Sequence, residues 1–321
     1  SNIFSGWSSV SSSSAYYAMI AKITLGVVTS TDRFSLYYLS SILKELDLPS
    51  LTWMSNAALR SMASLESVNL PVCSSIGEGA FYNCTYLSSI SLPECINIGS
   101  SAFSTQTLIP FLSLPKCEVI QVSAFCNLLS LSRLFAPVCL SIGENAFYGC
   151  STLESVILAE CISVGTAAFC NGLSISNISL PKCEYIGANA FRNSPLSGMS
   201  SLFLPSASYI AGSAFYSCSY FENVNLPLCT YLGNNVIYST EILSMPVYSY
   251  MSGSTFGDCS INYLYIPECH SITSNTFYGN ANISSIYFGA STSTDYVSFI
   301  GLSTKLTSRS EERRVGKECR S

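Results

Sequence analysis

The feature that most limits what this chain can fold into is its internal period. One unit recurs along the 321 residues, as LESVNLPVCSSIGEGAFYNCTY from Leu65, LSSISLPECINIGSSAF from Leu87 and LESVILAECISVGTAAF from Leu153. Taking the last apolar residue of each alternating stretch as a marker gives Leu25, Leu48, Leu70, Leu92, Leu114, Ala136, Leu158, Leu180, Leu204, Leu226, Met245, Ile266 and Phe288. The steps are almost all 22 residues, with exceptions between 19 and 24. A unit this short cannot bury its apolar face alone and must stack on its copies. Thirteen coils are expected, and at a strand spacing near 4.8 Å they make an array on the order of 60 Å long.

Within a coil, Val68-Asn69-Leu70 and Ile178-Ser179-Leu180 alternate with the period of a strand buried on one face, so the markers should point inward. Ten of the twelve prolines, from Pro49 to Pro267, directly follow a marker, where a missing N–H ends a strand at a corner. An apolar residue and often a glycine come next, as in Ser75-Ile76-Gly77, and the glycine is expected to take φ > 0 at a second bend. An Ala-Phe pair then refills the core: Ala80-Phe81, Ala102-Phe103, Ala124-Phe125, Ala146-Phe147, Ala168-Phe169, Ala190-Phe191 and Ala214-Phe215. It degenerates to Val236-Ile237, Thr255-Phe256 and Thr276-Phe277. The coil around Met245, with the 19-residue step, should be the least regular.

The unit L-x-x-I-x-L-P-x-C-x-x-I-G-x-x-A-F-x-x-C resembles the BspA-type leucine-rich repeat family over roughly Ile20 to Phe288. The resemblance implies a right-handed β-solenoid or horseshoe, with a parallel sheet on the concave side and irregular return segments. It also implies a cell-surface or extracellular protein of a host-associated bacterium or protist, some members of the family being adhesins for host or matrix proteins. The family carries no catalytic residues to transfer. Around the solenoid of residues 20–300, residues 1–19 read as an N-terminal cap or truncated first repeat, and 301–308 as the end of the array.

The last segment, RSEERRVGKECRS at 309–321, holds eight charged residues in thirteen and resembles a cloning or assembly scar. It takes five of the fourteen basic and three of the nineteen acidic residues, leaving a body of net charge −7. The chain starts without Met in serine-rich sequence, so a longer parent is expected. Hydrophobic residues at 48% against 10% charged ones give enough apolar surface to fold. A net charge of −5 with sparse Lys and Arg argues against nucleic acid. No run reaches the roughly 18 apolar residues of a membrane span.

Of the fifteen cysteines, Cys73, Cys95, Cys117, Cys139, Cys161, Cys183, Cys229 and Cys269 lie three residues after a marker and form a structural ladder. Leucine-rich repeats place Asn or Cys there, a small inward side chain able to bond a neighbouring coil's backbone while filling the core. The ladder vectors run parallel, which opposes disulfides between rungs. The second set, Cys84, Cys126, Cys150, Cys170, Cys218 and Cys259, is also expected in the core. Without close Cys pairs or a His cluster no metal site is expected, and no cofactor. His270 is the only histidine and has no acid partner in sequence; it reads as an exposed corner residue. Glu45, Asp47, Glu154 and Glu222 stand on the outward face but scattered over coils, so no catalytic residue is expected and the chain reads as no enzyme. Sequons at Asn83, Asn177 and Asn282 are of the kind that chance supplies in a Ser-rich chain.

Solenoids bind along the face of outward strand residues. The row preceding the markers runs Asp47, Asn69, Ser91, Ser113, Phe135, Ile157, Ser179, Phe203, Asn225, Ser244, Tyr265 and Tyr287, with Phe111, Arg133 and Tyr263 in the next row. Phe111, Arg133, Phe135 and Ile157 should make one patch on three adjacent coils, with Phe203 further along, and Arg and aromatics are the types enriched at binding hot spots. The reading is a monomeric, non-catalytic module for a protein partner such as a host or extracellular-matrix protein. The alternative is a structural spacer within a larger surface protein, with enzymatic activity only in an appended domain.

Overall fold

The computed structural model describes residues 22–24, 30–31, 39–105, 108–172, 174–251, 254–257, 259–272, 276–278, 280, 283–288 and 293–294. The expected cap, the end of the array and the charged tail lie outside these residues, as does Asn282. The chain divides into two compact units, Ser1–Ser179 and Leu180–Ser321. Both are stacks of coils with parallel strands and no α-helix among the described residues, so the chain is a β-solenoid.

In the first unit each coil carries a longer and a shorter strand. The longer strands make two parallel sheets: Lys22–Thr24, Glu45–Asp47, Ser67–Asn69 and Ser89–Ser91, then Phe111–Ser113, Arg133–Phe135, Ser155–Ile157 and Asn177–Ser179. The two-residue strands, from Ser30–Thr31 through Trp53–Met54 and Ser75–Ile76 to Ser163–Val164, form one uninterrupted parallel sheet. The register is one repeat per step, with Val68 opposite Leu46 and Ile90.

In the second unit the longer strands are Ser201–Phe203, Phe221–Asn225, Ser239–Ser244, Ser260–Ile266 and Ser285–Phe288, all in one parallel sheet. The short strands Tyr185–Ile186, Tyr209–Ile210 and Tyr231–Leu232 stack together, and Tyr250–Met251, Ser271–Ile272 and Ser293–Thr294 form a separate sheet. The break falls at the 19-residue step before Met245. The short-strand ladder breaks there, while the long strands of that coil and the next lengthen to six and seven residues. The described residues form a β-solenoid of about ten turns.

The corners follow from proline. Every described marker side chain up to Ile266 is buried, and after it the chain closes a β-turn with Pro at its second position in most coils. Thus Leu51 N–H donates to Leu48 C=O, Cys117 N–H to Leu114 C=O and Cys269 N–H to Ile266 C=O.

The glycine after the second strand is needed for a different reason from the one expected. Gly77 and Gly99 do not take positive φ. A Cβ on Gly77 would sit 2.6 Å from Asn56 N, and one on Gly99 2.6 Å from the carbonyl carbon of Gly77, so the glycines let adjacent backbones touch. The left-handed residues come two positions later, at Gly79 (φ 58), Asn145 (φ 54), Asn189 (φ 56) and Asn235 (φ 54), and again four further on, at Asn83, Asn127 and Gly149. These two bends bracket the Ala-Phe pair.

Each bracketed pair points into the core and is tied to the next coil: Phe81 N–H donates to Ala102 C=O and Phe147 N–H to Ala168 C=O. In the first unit the Phe rings stack in sequence, with centroids 4.9 Å apart for Phe81–Phe103 and 5.1 Å for Phe147–Phe169. In the second, Phe191 stacks on Phe215 at 5.2 Å, Ile237 continues the column by a bridge to Phe215, and Phe256 stacks on Phe277 at 5.8 Å. From Leu48 onward the marker and the column residue are always eleven positions apart, as Leu70 and Phe81, Leu204 and Phe215, Met245 and Phe256. Every departure from 22 residues arises in the other half, between the column residue and the next marker.

Candidate binding face

The outward residues of the long strands in the first unit change character along the row. At the start they pair with one another: Lys22 with Glu45, Lys44 with Glu66, and Asn69 donating to Asp47. Glu45 and Asp47 are thereby held in surface contacts. Serines follow at Ser89, Ser91 and Ser113, and then the apolar residues.

Register brings four of the five expected binding residues together. Arg133 lies opposite Phe111 on one side and Ser155 on the other; Phe135 lies opposite Ser113 and Ile157. Phe111 and Ile157 keep 47% and 44% of their surface exposed. The Arg133 guanidinium carbon stands 5.6 Å from the Phe111 ring centroid, within cation–π range. Phe135 departs from expectation in being half-buried. Phe203, 57% exposed, belongs to the second unit, where its register partner is Asn225.

A second set of outward side chains was not anticipated. Tyr185, Tyr209 and Tyr231 stack on the short strands of the second unit, with centroids 5.1 and 4.3 Å apart. Burial and the adjoining Tyr231 push the Tyr209 phenol above its usual range. The signal was a tyrosine recurring one residue before the inward Ile or Leu of the second strand, visible once that strand is placed. Tyr265 and Tyr287 stack similarly on the long strands, at 5.1 Å.

The ladder cysteines are buried, and their thiols donate mainly within their own coil rather than to the neighbour: Cys73 to Ser75 C=O at 3.3 Å, Cys117 to Val119 C=O at 3.4 Å, Cys229 to Tyr231 C=O at 3.3 Å. Cys139 does both, reaching Ser141 and, more distantly, Glu118. Cys161, Cys183 and Cys269 follow the same rule, as does Cys95 with Asn97. Burial pushes the thiols of Cys84, Cys95, Cys139, Cys150 and Cys229 up to about 12. A thiol held neutral is a poor nucleophile and metal ligand. In the second set, Cys84, Cys150, Cys170 and Cys259 are buried, but Cys126 and Cys218 are only half-buried, which corrects the expectation of a core position for both. His270 is exposed at its corner. Among the described residues no group of His, Cys, Asp and Glu could hold a metal ion, and no helix is long and apolar enough to cross a membrane.

The model of the BspA type leucine rich repeat region matches six copies, over residues 9–132, 140–252 and 247–310. The chain belongs to the BspA-type leucine-rich repeat family. Repeats of this family are typical of surface and protein-interaction proteins, and leucine-rich repeat proteins generally bind proteins. Solved structures similar to this BspA-type chain include a leucine-rich repeat protein from Bacteroides ovatus, 18% identical, covering 86% of this chain and 91% of that one with a TM-score of 0.46. Another is a leucine-rich cell surface protein from Faecalibacterium prausnitzii, 18% identical over 91% of this chain and 88% of that one, TM-score 0.43. A third, from Eubacterium ventriosum, is 13% identical over 90% and 91%, TM-score 0.38. No curated protein matches the chain.

Proposed function

We infer that this chain is a non-catalytic protein-binding module that works in adhesion or recognition at the cell surface, and that its partner docks on the long-strand face of the first unit. The observation that carries the reading is the exposure of Phe111 and Ile157 on strands that also present Arg133 and the edge of Phe135. Affinity concentrates on desolvated aromatic and Arg anchors, and the serine rows beside them adapt to a partner without anchoring it. Membership of the family supports the protein-binding class. The host- or matrix-protein partner and the surface location are readings of that class.

The test is binding of the full chain to a panel of purified extracellular-matrix and host surface proteins. Phe135→Ala and Arg133→Ala should each weaken a saturable interaction by about 1–2 kcal/mol. Because Phe135 is half-buried, its variant is also checked for an unchanged fold by circular dichroism. Wild-type affinity in both variants removes the face from the interaction, and the lack of any saturable partner favours the spacer.

A further inference from the structure

The face of the first unit has one fault in its ladder. Between Ser89–Ser91 and Phe111–Ser113 the long-strand sheet is interrupted, although the short strands Asn97–Ile98 and Val119–Ile120 of the same two coils remain paired. Pro110 explains the fault. At its position in adjoining coils Ser88 donates its N–H to Glu66 C=O, and Ser132 donates to Pro110 C=O. Proline has no N–H to offer Ser88 in turn. The core shows through at this point: Ile90 is the inward residue of its strand, yet it is only half-buried where its counterparts Val68 and Leu112 are buried.

The groups around the opening are chemically matched to one kind of visitor. Phe111 stands exposed at its rim, and Arg133 leans back from the next coil over the Phe111 ring. The lysines Lys22, Lys44 and Lys116 each meet a glutamate from an adjoining coil. Arg133 takes part in none of the ion pairs of the described residues, and Glu154 of the following coil is not among its partners. A half-buried Ile90 beside an exposed Phe111, with an uncompensated guanidinium over the Phe111 ring, is complementary to one negative charge beside an apolar group. A monoanion matches one cation, whereas a phosphate dianion would bring excess charge to an already acidic chain.

We propose that the opening between the strands of Ile90 and Phe111 recognises a partner segment with a carboxylate beside an apolar side chain, the apolar group resting on Ile90 and Phe111 and the carboxylate on Arg133. This rests on the reading that the face docks a protein, and names the chemistry it selects. A displayed library of random heptapeptides, selected on the full chain, tests it. Recovered peptides should be enriched in Asp or Glu next to an aromatic or aliphatic residue. Synthesised individually, they should lose about tenfold or more in affinity when that carboxylate is changed to its amide, and as much on Arg133→Gln, whose unfolding midpoint should equal wild type. Arg133→Lys should recover part of the loss. Selection without acidic enrichment, phosphopeptides that bind as well as their glutamate equivalents, an empty selection, or unchanged affinity on Arg133→Gln each overturns the proposal. Peptides that lose affinity on Phe111→Ala but not on Arg133→Gln end the carboxylate preference while leaving the docking face standing; peptides indifferent to both end the two together.

Discussion

Gly77 and Gly79 lie two residues apart in one coil and should answer to substitution in opposite ways. A Cβ on Gly77 would lie 2.6 Å from Asn56 N and 2.7 Å from Met54 O, about 0.8 Å inside ordinary contact, and both obstacles are backbone. Relief requires the two coils to part, which strains the 2.9 Å bond from Gly77 N–H to Met54 C=O. Overpacking of this kind costs about 1–3 kcal/mol and a weakened buried hydrogen bond about 1 more, offset by some 0.4–1 kcal/mol from lost freedom in the unfolded chain. Gly77→Ala should therefore lose about 2 kcal/mol. Gly79 has no atom nearer than 3.7 Å to a Cβ, and its φ of 58° is one that Asn145, Asn189 and Asn235 already adopt at the equivalent place. Gly79→Asn should stay within about 0.5 kcal/mol of wild type. Urea unfolding followed by far-ultraviolet circular dichroism compares the midpoints. Equal midpoints for the two variants, or a larger loss for Gly79→Asn, would refute the claim that one glycine serves contact and the other conformation.

Three further outcomes follow from the core. Phe147→Ala removes a ring stacked on both sides and should cost about 3–5 kcal/mol, read as a lower urea midpoint; a loss below 1 kcal/mol would mean the column carries little. Cys139→Ser keeps the donor to Ser141 but replaces an apolar filler, and should cost about 1–2 kcal/mol, while thiol titration of denatured chain without reductant should recover nearly all the body cysteines. Thiols that ionise at 9.0 when unfolded and near 12 in the fold lose their protons first in the unfolded chain as pH rises, so their contribution is complete below pH 9 and is lost towards pH 12. Each adds a slope of about 1.4 kcal/mol per pH unit, so the urea midpoint should fall steeply between pH 9 and 11, and a flat profile would contradict the buried-thiol core.

The period made the fold legible because a 22-residue unit fixes which residue recurs at each place around the coil. The markers, the prolines at the corners and the Phe column needed no more than that. What escaped was whatever depends on the neighbouring coil. A glycine after Ile76 is compatible with a bend or with close approach, and only the position of Met54 and Asn56 decides between them. Pro110 is one of two prolines away from the corners, but its effect required knowing that its N–H position faces Ser88. The candidate binding residues were legible as a row, since outward alternation places Phe111, Arg133, Phe135 and Ile157 on neighbouring strands. Their unequal exposure was not: the half-buried Phe135 and the exposed Ile157 both lie on strands paired on both sides.

The constant eleven residues from marker to column, set against a connector of varying length back to the next strand, divide the coil into a rigid and an adjustable half. The rigid half holds the corner turn and the thiol bond, closed within the coil, and the second strand and the contact glycine, set against the coils beside them. The longer connector after Phe191, which includes Pro195 and Gly198, and the shortened one after Ile237 show where the chain absorbs a change of length. A foreign peptide spliced into such a connector is displayed as a loop while the stack beneath keeps its phase. The same peptide placed between Leu114 and Phe125 would throw every later phenylalanine out of line with those before it. The array is in this sense a scaffold with one permitted insertion point per turn, repeated at the spacing of a strand.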